Sequence, residues 1–375
     1  MPCRVTRVLV VDDSALMREM IGDFIRETPG MELAGTARDG DDALRQIEKL
    51  QPDVVTLDVQ MPRKDGLQTL EELLKSYPVP VLMVSALTQL GANTTLDALD
   101  RGAMDYIAKP DGVGPTTSAQ LREELLRKIR AVAGTDVKKI IEIRRARAAK
   151  RQVAAATLPT PKPVATPTTQ GPVVHELADK CIALGISTGG PPALTQLFEA
   201  LRPPLPPLVI VQHMPAQFTK AFAWRLNSGS ALEVKEAANG DVLKPNCAYI
   251  APGGYHLELK KLGNEVRCKI TDGDNVSGHK PSVDVMMKCA AAIYGDRCLG
   301  VIMTGMGRDG ADGCGAIRAA GGYVLGQDAE SSDVYGMNKV ALVEGHVDRQ
   351  FHLDQGAATI MAQVQKLWSR AAVGV

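Results

Sequence analysis

The sequence lacks the features that mark several common protein classes. Its 375 residues contain no run of about 18 apolar residues and no signal-type apolar segment at the N-terminus, which argues against membrane insertion and export. The 43 Lys and Arg residues balance the 43 Asp and Glu residues, and the second half shows no basic stripe or helix-turn-helix pattern. We therefore expect a cytoplasmic protein that binds no nucleic acid and does not insert into membranes.

The cysteines form no recognisable metal or redox motif. There are seven of them, an odd number, with no C-x-x-C pair and no Cys/His cluster at zinc spacing. Four lie within or beside apolar stretches, where cysteine behaves as a small hydrophobe: Cys181, Cys289, Cys298 and Cys314. We predict reduced, partly buried thiols.

Aromatic and acidic residues are absent from residues 153–174, a Pro/Thr/Ala-rich stretch that cannot bury a core. The preceding residues 138–151 are strongly basic and helix-competent. We interpret 126–177 as a linker between a first domain at 1–125 and a second at 178–370. The basic stretch is interpreted as a solvated continuation of the first domain's last helix, and docking to an acidic partner is the alternative.

Five apolar runs in the first half alternate with five helix-like segments. A chain that alternates in this way predicts a doubly wound parallel sheet of the α/β class. The predicted strands are RVLVVDD, MELAGTA, DVVTLD, VPVLMVSA and MDYIAKP.

Polar side chains follow four of these predicted strands. Asp12 and Asp13 follow the first, Asp58 ends the third, Ser85 ends the fourth and Lys109 ends the fifth. All should meet at one edge of the sheet. Clustered carboxylates repel unless a cation neutralises them, and their hard oxygen ligands suit Mg²⁺. Lys109 and Ser85 would suit a phosphoryl group carried on Asp58.

Three apolar runs in the second half each lead to a reactive side chain, in the order Ser187, His213, Asp309. Ser187 lies in a Gly-rich strand-to-helix turn, where the amides that follow it could hold an oxyanion. His213 is the natural base because its ordinary pKa lies near neutrality, and Asp309 could orient its imidazolium. The three predict a Ser/His/Asp hydrolase, although the order differs from that of an ordinary α/β-hydrolase.

Other residues compete for these roles. A serine beside glycine is also typical of a loop that cradles an anion. His256 follows another strand-like run and could replace His213 as the base. Asp284 similarly rivals Asp309, but PSVDVMMKCAAAIYG is typical of a helix start in which Ser282 or Asp284 caps the first turn.

The first half also resembles a known family. Residues 1 to about 125 are similar to a response-regulator receiver domain, which implies a flavodoxin-like (βα)5 fold and a Mg²⁺ ion that serves phosphorylation. The resemblance implies these roles: phosphoacceptor Asp58; metal ligands Asp12, Asp13 and Asp58; switch residues Ser85, Tyr106 and Lys109.

Residues from about 178 to 370 resemble the catalytic domain of the chemotaxis protein-glutamate methylesterase family, the CheB family. GISTGG, QHMP, IAPGGYHL, HKPSVDV and MTGMGRDG occur in that family's order. The resemblance implies a doubly wound parallel-sheet domain that needs no cofactor for its esterase chemistry. It makes Ser187 the nucleophile, His213 the base and Asp309 the orienting acid, with backbone N–H groups of Thr188 and Met306 in the oxyanion site.

Together the two resemblances imply a phosphorylation-activated enzyme. It would hydrolyse glutamate γ-methyl esters on chemoreceptors, release methanol, and deamidate certain receptor glutamines. A chemotaxis histidine kinase would be the phosphodonor, the chain would be a monomer, and the unphosphorylated receiver would limit access to Ser187. Two alternatives remain open at this point: a non-enzymatic regulator that responds to phosphorylation, and a serine esterase with another substrate.

Overall fold

The computed structural model describes residues 5–86, 88–109, 118–142 and 177–368. The chain forms two compact units, residues 1–157 and 158–375. Within the predicted linker at 126–177, residues 143–176 lie outside the described residues, and so does most of the basic stretch.

The first unit is a parallel sheet of five strands in the order β2-β1-β3-β4-β5. This is the predicted α/β receiver fold, which is confirmed. The strands are β1 Thr6–Val11, β2 Met31–Ala37, β3 Val54–Asp58, β4 Val81–Ser85 and β5 Asp105–Ala108. The helices are α1 Ala15–Arg26, α2 Gly40–Leu50, α3 Gly66–Ser76, α4 Gln89–Arg101 and α5 Ser118–Val132.

Local sequence sets where the helices of this unit begin. Ser14, Asp39 and Asp65 each accept a hydrogen bond at the start of a helix, from the backbone N–H of the residue three positions later. Strands β3 and β4 are buried at every position, as expected of strands covered on both faces. Helix α5 continues to Val132, so the predicted domain boundary at residue 125 falls inside it.

The second unit contains a sheet of seven parallel strands in the order β14-β13-β12-β6-β7-β9-β8. A separate antiparallel hairpin joins β10 to β11. The strands are β6 Cys181–Ile186, β7 Leu208–Gln212, β8 Glu233–Glu236, β9 Cys247–Ile250, β10 His256–Leu262, β11 Glu265–Thr271, β12 Cys298–Ile302, β13 Tyr323–Gln327 and β14 Arg349–Phe351. The helices are α6 Gly190–Ala200, α7 Ala216–Gly229, α8 Val283–Tyr294, α9 Ala311–Ala319, α10 Met337–Val343 and α11 Gly356–Trp368.

The core of the second unit contains most of the described cysteines. Cys181, Cys298 and Cys314 are free thiols with no exposed surface, whereas Cys289 is half-buried. Burial raises the pKa of Cys298 to about 12. These thiols therefore pack as small hydrophobes, as predicted. Over the described ranges, no helix is both long and apolar enough to span a bilayer.

Helix α8 approaches the sheet closely at a glycine of β6. A methyl group added at Gly185 would lie 2.2 Å from Cγ1 of Val283, the first residue of α8. The absence of a side chain at Gly185 therefore lets the N-terminus of α8 rest on the strand that leads to Ser187.

Gly185→Ala should destabilise the second unit by about 1–3 kcal/mol, because an overpacked core must shift helix or strand. The measurement is urea unfolding of the full chain, with hydrogen exchange of the β6 amides as the probe of unfolding. Gly229→Ala is the matched control, since its added methyl group would lie 3.6 Å from the nearest atom, the flexible Glu199 Cγ. An equal effect of both substitutions would contradict the close approach at Gly185.

Candidate functional site

Ser187 directly follows the central strand β6 and stands on a tight turn into α6. The backbone N–H of Gly190 donates to the Ser187 carbonyl at 2.7 Å, and Gly189 caps α6 with a positive φ of 77°. A methyl group at Gly190 would lie 1.9 Å from Oε1 of Gln212. The two glycines therefore allow the turn and its close contact with the end of β7.

The predicted Ser/His/Asp residues form a continuous hydrogen-bonded row. His213 Nδ1 lies 3.0 Å from Ser187 Oγ, and His213 Nε2 lies 2.8 Å from Asp309 Oδ2. A carboxylate only accepts, so Nε2 carries the proton and Nδ1 is left to accept from the serine hydroxyl. The three residues lie in the segments that follow β6, β7 and β12, and these strands are neighbours in the sheet.

The Asp309 carboxylate binds the N-terminus of α8. Its Oδ1 accepts from Ser282 Oγ at 2.8 Å and from the Asp284 N–H at 3.0 Å, and its Oδ2 accepts from the Val283 N–H at 2.8 Å. Burial alone would raise the pKa of this carboxyl, but the hydrogen bond from His213, the positive charge of His213 in its protonated form and the helix N–H groups lower the pKa to about 2. Asp309 is therefore ionised at neutral pH.

The segment after β12 also comes next to the serine. The Ser187 N–H donates to the Thr304 carbonyl at 3.0 Å, and Thr304 Oγ1 donates to the Thr188 carbonyl at 2.9 Å. A methyl group at Gly305 would lie 2.8 Å from Ser187 Cβ. Thr188 and Met306, whose N–H groups are the predicted oxyanion donors, thus belong to two segments that are bonded to each other.

Two further side chains support the row and were not predicted. Gln212 is buried and its Nε2 donates to the carbonyls of both Ser187, at 3.1 Å, and His213, at 3.0 Å. The ring of His279 stacks on that of His213, with centroids 3.8 Å apart and planes inclined by 9°. Both residues lie in motifs that the sequence shows, QHMP and HKPSVDV, but one-dimensional spacing does not show these contacts.

The residues that the sequence offered as alternatives, His256 and Ser282, contact backbone groups in the structure. His256 is buried, its Nε2 lies 2.8 Å from the Asp274 carbonyl, and its Nδ1 accepts from the Ser282 N–H at 3.2 Å. Both ring nitrogens are thus engaged with backbone groups. Ser282 caps α8 through a hydrogen bond from the Val285 N–H, which agrees with the predicted helix start.

A second cluster lies at the carboxyl ends of β1 and β3 in the first unit. Lys109 Nζ is 2.8 Å from both Asp12 Oδ2 and Asp58 Oδ2. Burial raises the pKa of Asp58, and the hydrogen bond and charge of Lys109 offset this only in part. Carboxylate oxygens of Asp12, Asp13 and Asp58 all lie within 4.8 Å of one another. One ammonium does not neutralise three carboxylates, so this oxygen-rich group fits a divalent cation such as Mg²⁺.

The predicted switch residues occupy the two strands beyond this cluster. Ser85 is fully buried at the end of β4, and its carbonyl accepts from the Lys109 N–H at 2.8 Å. Tyr106 lies buried in β5, with Lys128 Nζ 4.9 Å from its ring centroid. Burial, and then the charges of Asp105 and Glu124, raise the pKa of Tyr106 well above its ordinary value.

The lowered pKa of Asp309 predicts an acid-dependent loss of stability. A carboxyl whose folded pKa is about 2, against an ordinary 3.8, stabilises the fold when ionised. This stabilisation, about 2 kcal/mol, should be present above roughly pH 4 and should disappear as the pH falls towards 2. Asp309→Asn removes the ionisable group. The difference in free energy of unfolding between wild type and Asp309→Asn should therefore narrow from pH 5 to pH 2.

Urea unfolding at a series of pH values, with hydrogen exchange of β6 as the probe, provides the measurement. The exposed residue Asp296, changed to Asn, serves as the control. A wild-type advantage over Asp309→Asn that stays constant down to pH 2 would contradict the ionised, helix-capping state.

Known protein families match both units. Residues 182–360 match the model described as CheB methylesterase, and residues 8–116 match the response regulator receiver domain. A Pyrococcus abyssi relative named "Protein-glutamate methylesterase/protein-glutamine glutaminase" is 41% identical over 365 residues, covering 97% of this chain and 95% of the relative. A Koribacter versatilis relative, named "Protein-glutamate methylesterase/protein-glutamine glutaminase 2", is 43% identical over 358 residues, covering 95% of this chain and 96% of the relative.

Among solved structures, the Thermotoga maritima CheB methylesterase catalytic domain is 39% identical, with a TM-score of 0.48, and the match covers 49% of this chain and 98% of that one. Because relatives at about 40% identity match almost the full length of this chain and of their own, the chain belongs to the CheB methylesterase family.

Proposed function

We propose that this protein hydrolyses glutamate γ-methyl esters on chemoreceptors and deamidates receptor glutamines, and that phosphorylation of Asp58 activates it. The observation that carries the proposal is the hydrogen-bonded row Ser187–His213–Asp309 in a chain whose relatives are named for these two activities. The receiver domain in the same chain supports the regulatory part.

The proposed reaction begins at Ser187. Its Oγ attacks the ester carbonyl carbon while His213 Nδ1 takes the hydroxyl proton, and Asp309 stabilises the resulting imidazolium through Nε2–H. The carbonyl oxygen becomes an oxyanion that the N–H groups of Thr188 and Met306 bind. The C–O bond to the methoxy group then breaks, and the imidazolium returns its proton so that methanol leaves.

Water completes the cycle. His213 removes a proton from water as the water oxygen attacks the acyl carbon, and the ester bond to Ser187 Oγ breaks with return of the proton to the serine. The products are a glutamate side chain and free enzyme. With a glutamine substrate the same steps release ammonia in place of methanol, so one row of residues serves both reactions. This chemistry uses no cofactor.

The proposed activation begins at Asp58. Its carboxylate oxygen accepts the phosphoryl group from a phosphohistidine of a chemotaxis histidine kinase, and the N–P bond of the donor breaks. Asp12, Asp13 and Asp58 would hold Mg²⁺, which would neutralise phosphoryl charge when bound. Lys109, already bonded to two of these carboxylates, would pair with the phosphoryl oxygens, and Ser85 and Tyr106 would respond to them.

Chemoreceptors are the proposed substrates, and the protein is proposed to act in the cytoplasm as a monomer. The non-enzymatic regulator is not favoured, because the relatives are named as enzymes and His213 is bonded to both Ser187 and Asp309. An esterase with another substrate remains an outcome of the following test.

Ser187→Ala should abolish methanol release from methylated receptor membranes, because the substitution removes the atom that attacks the ester. The expected fall in kcat is about 10⁴-fold or more, as in other serine hydrolases that lose their nucleophile. The matched control is Ser228→Ala, which removes a hydroxyl that donates to the Trp224 carbonyl on α7. Undiminished release by Ser187→Ala would overturn the proposed nucleophile, and no release by folded, phosphorylated wild type would indicate another substrate.

Asp58→Asn should remove the increase in methanol release that a small phosphodonor with Mg²⁺ produces in the wild type, because an amide cannot accept the phosphoryl group. Asp23→Asn is the control; Asp23 lies on α1, where its carboxylate bonds to Arg26 on the same helix, and this variant should keep the increase. The measurement is the rate of release with and without phosphodonor. An increase that survives in Asp58→Asn would place the phosphoacceptor elsewhere.

A further inference from the structure

A second buried aspartate lies directly behind the Ser187–His213–Asp309 row. Asp284 is the second residue of α8 and is 1% exposed. A buried carboxylate is unfavourable unless hydrogen-bond donors satisfy it. Its Oδ1 accepts from the N–H groups of Gly310 and Gly313, at 2.9 and 2.8 Å, and its Oδ2 accepts from Ser277 Oγ at 3.2 Å. Both carboxylate oxygens of Asp284 therefore accept hydrogen bonds, and two of the donors lie just after Asp309 in the chain.

These contacts make an exchange of carboxylates between two helix N-termini. Asp309 precedes α9 but accepts from the first N–H groups of α8, whereas Asp284 lies in α8 but accepts from the N-cap and first turn of α9. Each helix thus supplies the anion that binds at the N-terminus of the other, where unpaired N–H groups and the helix dipole favour negative charge. The arrangement couples the position of one carboxylate to that of the other.

Glycines allow the two helices to approach closely enough for the exchange. A methyl group at Gly313 would lie 2.6 Å from Met287 Cβ on α8, and one at Gly310 would lie 2.7 Å from Val283 Cγ1. Gly310 also has a positive φ of 94°, which favours glycine. The backbone of α9 therefore reaches the Asp284 carboxylate because no side chain separates the helices at these two positions.

The exchanged carboxylates are linked to the Ser187–His213–Asp309 row through the Asp309–Gly310 peptide. Gly310 follows Asp309 directly, so the hydrogen bond from its N–H to Asp284 fixes the peptide on which Asp309 stands. We propose that Asp284 is a positioning residue for catalysis: its carboxylate holds the Asp309–Gly310 peptide so that Asp309 Oδ2 stays aimed at His213 Nε2. This inference rests on the proposed hydrolase function, which it deepens by assigning a residue behind the row.

The two carboxyl groups have opposite pKa shifts. Burial raises the pKa of Asp284, and the charge of Asp309 raises it further, although the Gly313 N–H partly offsets this. Burial would also raise the pKa of Asp309, but the hydrogen bond from His213 and the charge of His213 when protonated outweigh it, and the pKa falls to about 2. Asp309 is thus the carboxylate that contacts His213 as an anion. Asp284 contributes by accepting hydrogen bonds from Gly310 and Gly313 in a fixed geometry.

The test compares Asp284→Ala, Asp284→Asn and Asp284→Glu in the full chain. Asn keeps Oδ1 as an acceptor for both glycine N–H groups, Ala removes it, and Glu keeps the carboxylate but displaces it by one methylene. We expect kcat for methanol release to fall by about 10- to 100-fold in Ala and Glu with KM within about threefold, and to stay within about threefold in Asn, as for lost orientation of a triad base.

Cys314→Ala is the matched structural control. Cys314 is buried on α9, with its Sγ 3.9 Å from Met287 Sδ on α8, so the substitution weakens packing between the same helices without touching the exchange. Its kcat should stay within about twofold of wild type. The activity of Asp284→Ala is divided by the folded fraction that circular dichroism measures. If Asp284→Ala fails to fold, the comparison of Asp284→Asn with Asp284→Glu tests the proposal.

The rate at which phenylmethylsulfonyl fluoride labels Ser187 separates this inference from the proposed function. Labelling depends on the row but not on a receptor substrate, so the variants should rank as in the methanol assay. Slow labelling of Ala and Glu with near-normal labelling of Asn supports Asp284 as a positioning residue, even if wild type releases no methanol and the proposed substrate is wrong. Equal labelling of Ala, Glu and Cys314→Ala, or an Asn variant as slow as Ala, overturns it.

Discussion

The contact between the Asp309 carboxylate and the N-terminus of α8 is the interaction on which the candidate active site depends. Three donors, Ser282 Oγ and the N–H groups of Val283 and Asp284, hold the carboxylate ionised in a buried position. An ionised acceptor requires a proton on His213 Nε2, and this leaves Nδ1 to accept from Ser187. The tautomer of the base, and with it the direction in which protons move, therefore follows from how one helix begins. A protonated Asp309 could donate a hydrogen bond as well as accept one, so it would no longer fix the proton on His213 Nε2. The lowered pKa of Asp309 prevents this protonation at neutral pH.

Sheet topology explains why three distant segments meet at that contact. Strand β6 lies at the centre of the order β12-β6-β7, and the chain leaves it towards β7 on one side and returns on the other through β12. Segments that follow neighbouring parallel strands diverge at such a reversal and leave a crevice at the carboxyl ends of the strands. Ser187 follows the central strand of the three, and the segments that carry His213 and Asp309 follow its two neighbours. The first unit repeats the principle, because Asp12 follows β1 and Asp58 ends β3, and these are the strands at which its order reverses.

Apolar runs mark strands and a parallel sheet aligns the ends of its strands, so residues that follow such runs can be placed near one another from the sequence. The structure brings Ser187, His213 and Asp309 together, as this placement predicts, and likewise Asp12, Asp58 and Lys109. Their roles in catalysis and phosphorylation stay predictions. Contacts made across the fold left no such pattern. Gln212 was hidden inside a strand run, the stacking of His279 on His213 depends on a loop path, and spacing alone could not decide between His256 and His213. The hairpin β10–β11 was also not predicted, since its exposed charged positions do not mark a buried strand.

Asp284 illustrates the limit most clearly. From sequence, a carboxylate at the start of a helix predicts only a favourable charge at that helix's own N-terminus. In the structure the Asp284 carboxylate accepts hydrogen bonds from the N-terminus of the other helix, α9, while the Asp309 carboxylate accepts them from the N-terminus of α8. Two adjacent buried carboxylates should repel, and the fold resolves this by giving them different partners. Asp309 pairs with the imidazole of His213, which can become cationic. Among the described residues, the hydrogen-bond donors to Asp284 are the Ser277 hydroxyl and two backbone N–H groups, all neutral. Asp309, whose partner His213 is ionisable, can stabilise a charge that appears during the reaction. Asp284, whose partners are fixed dipoles, holds the Asp309–Gly310 peptide in place.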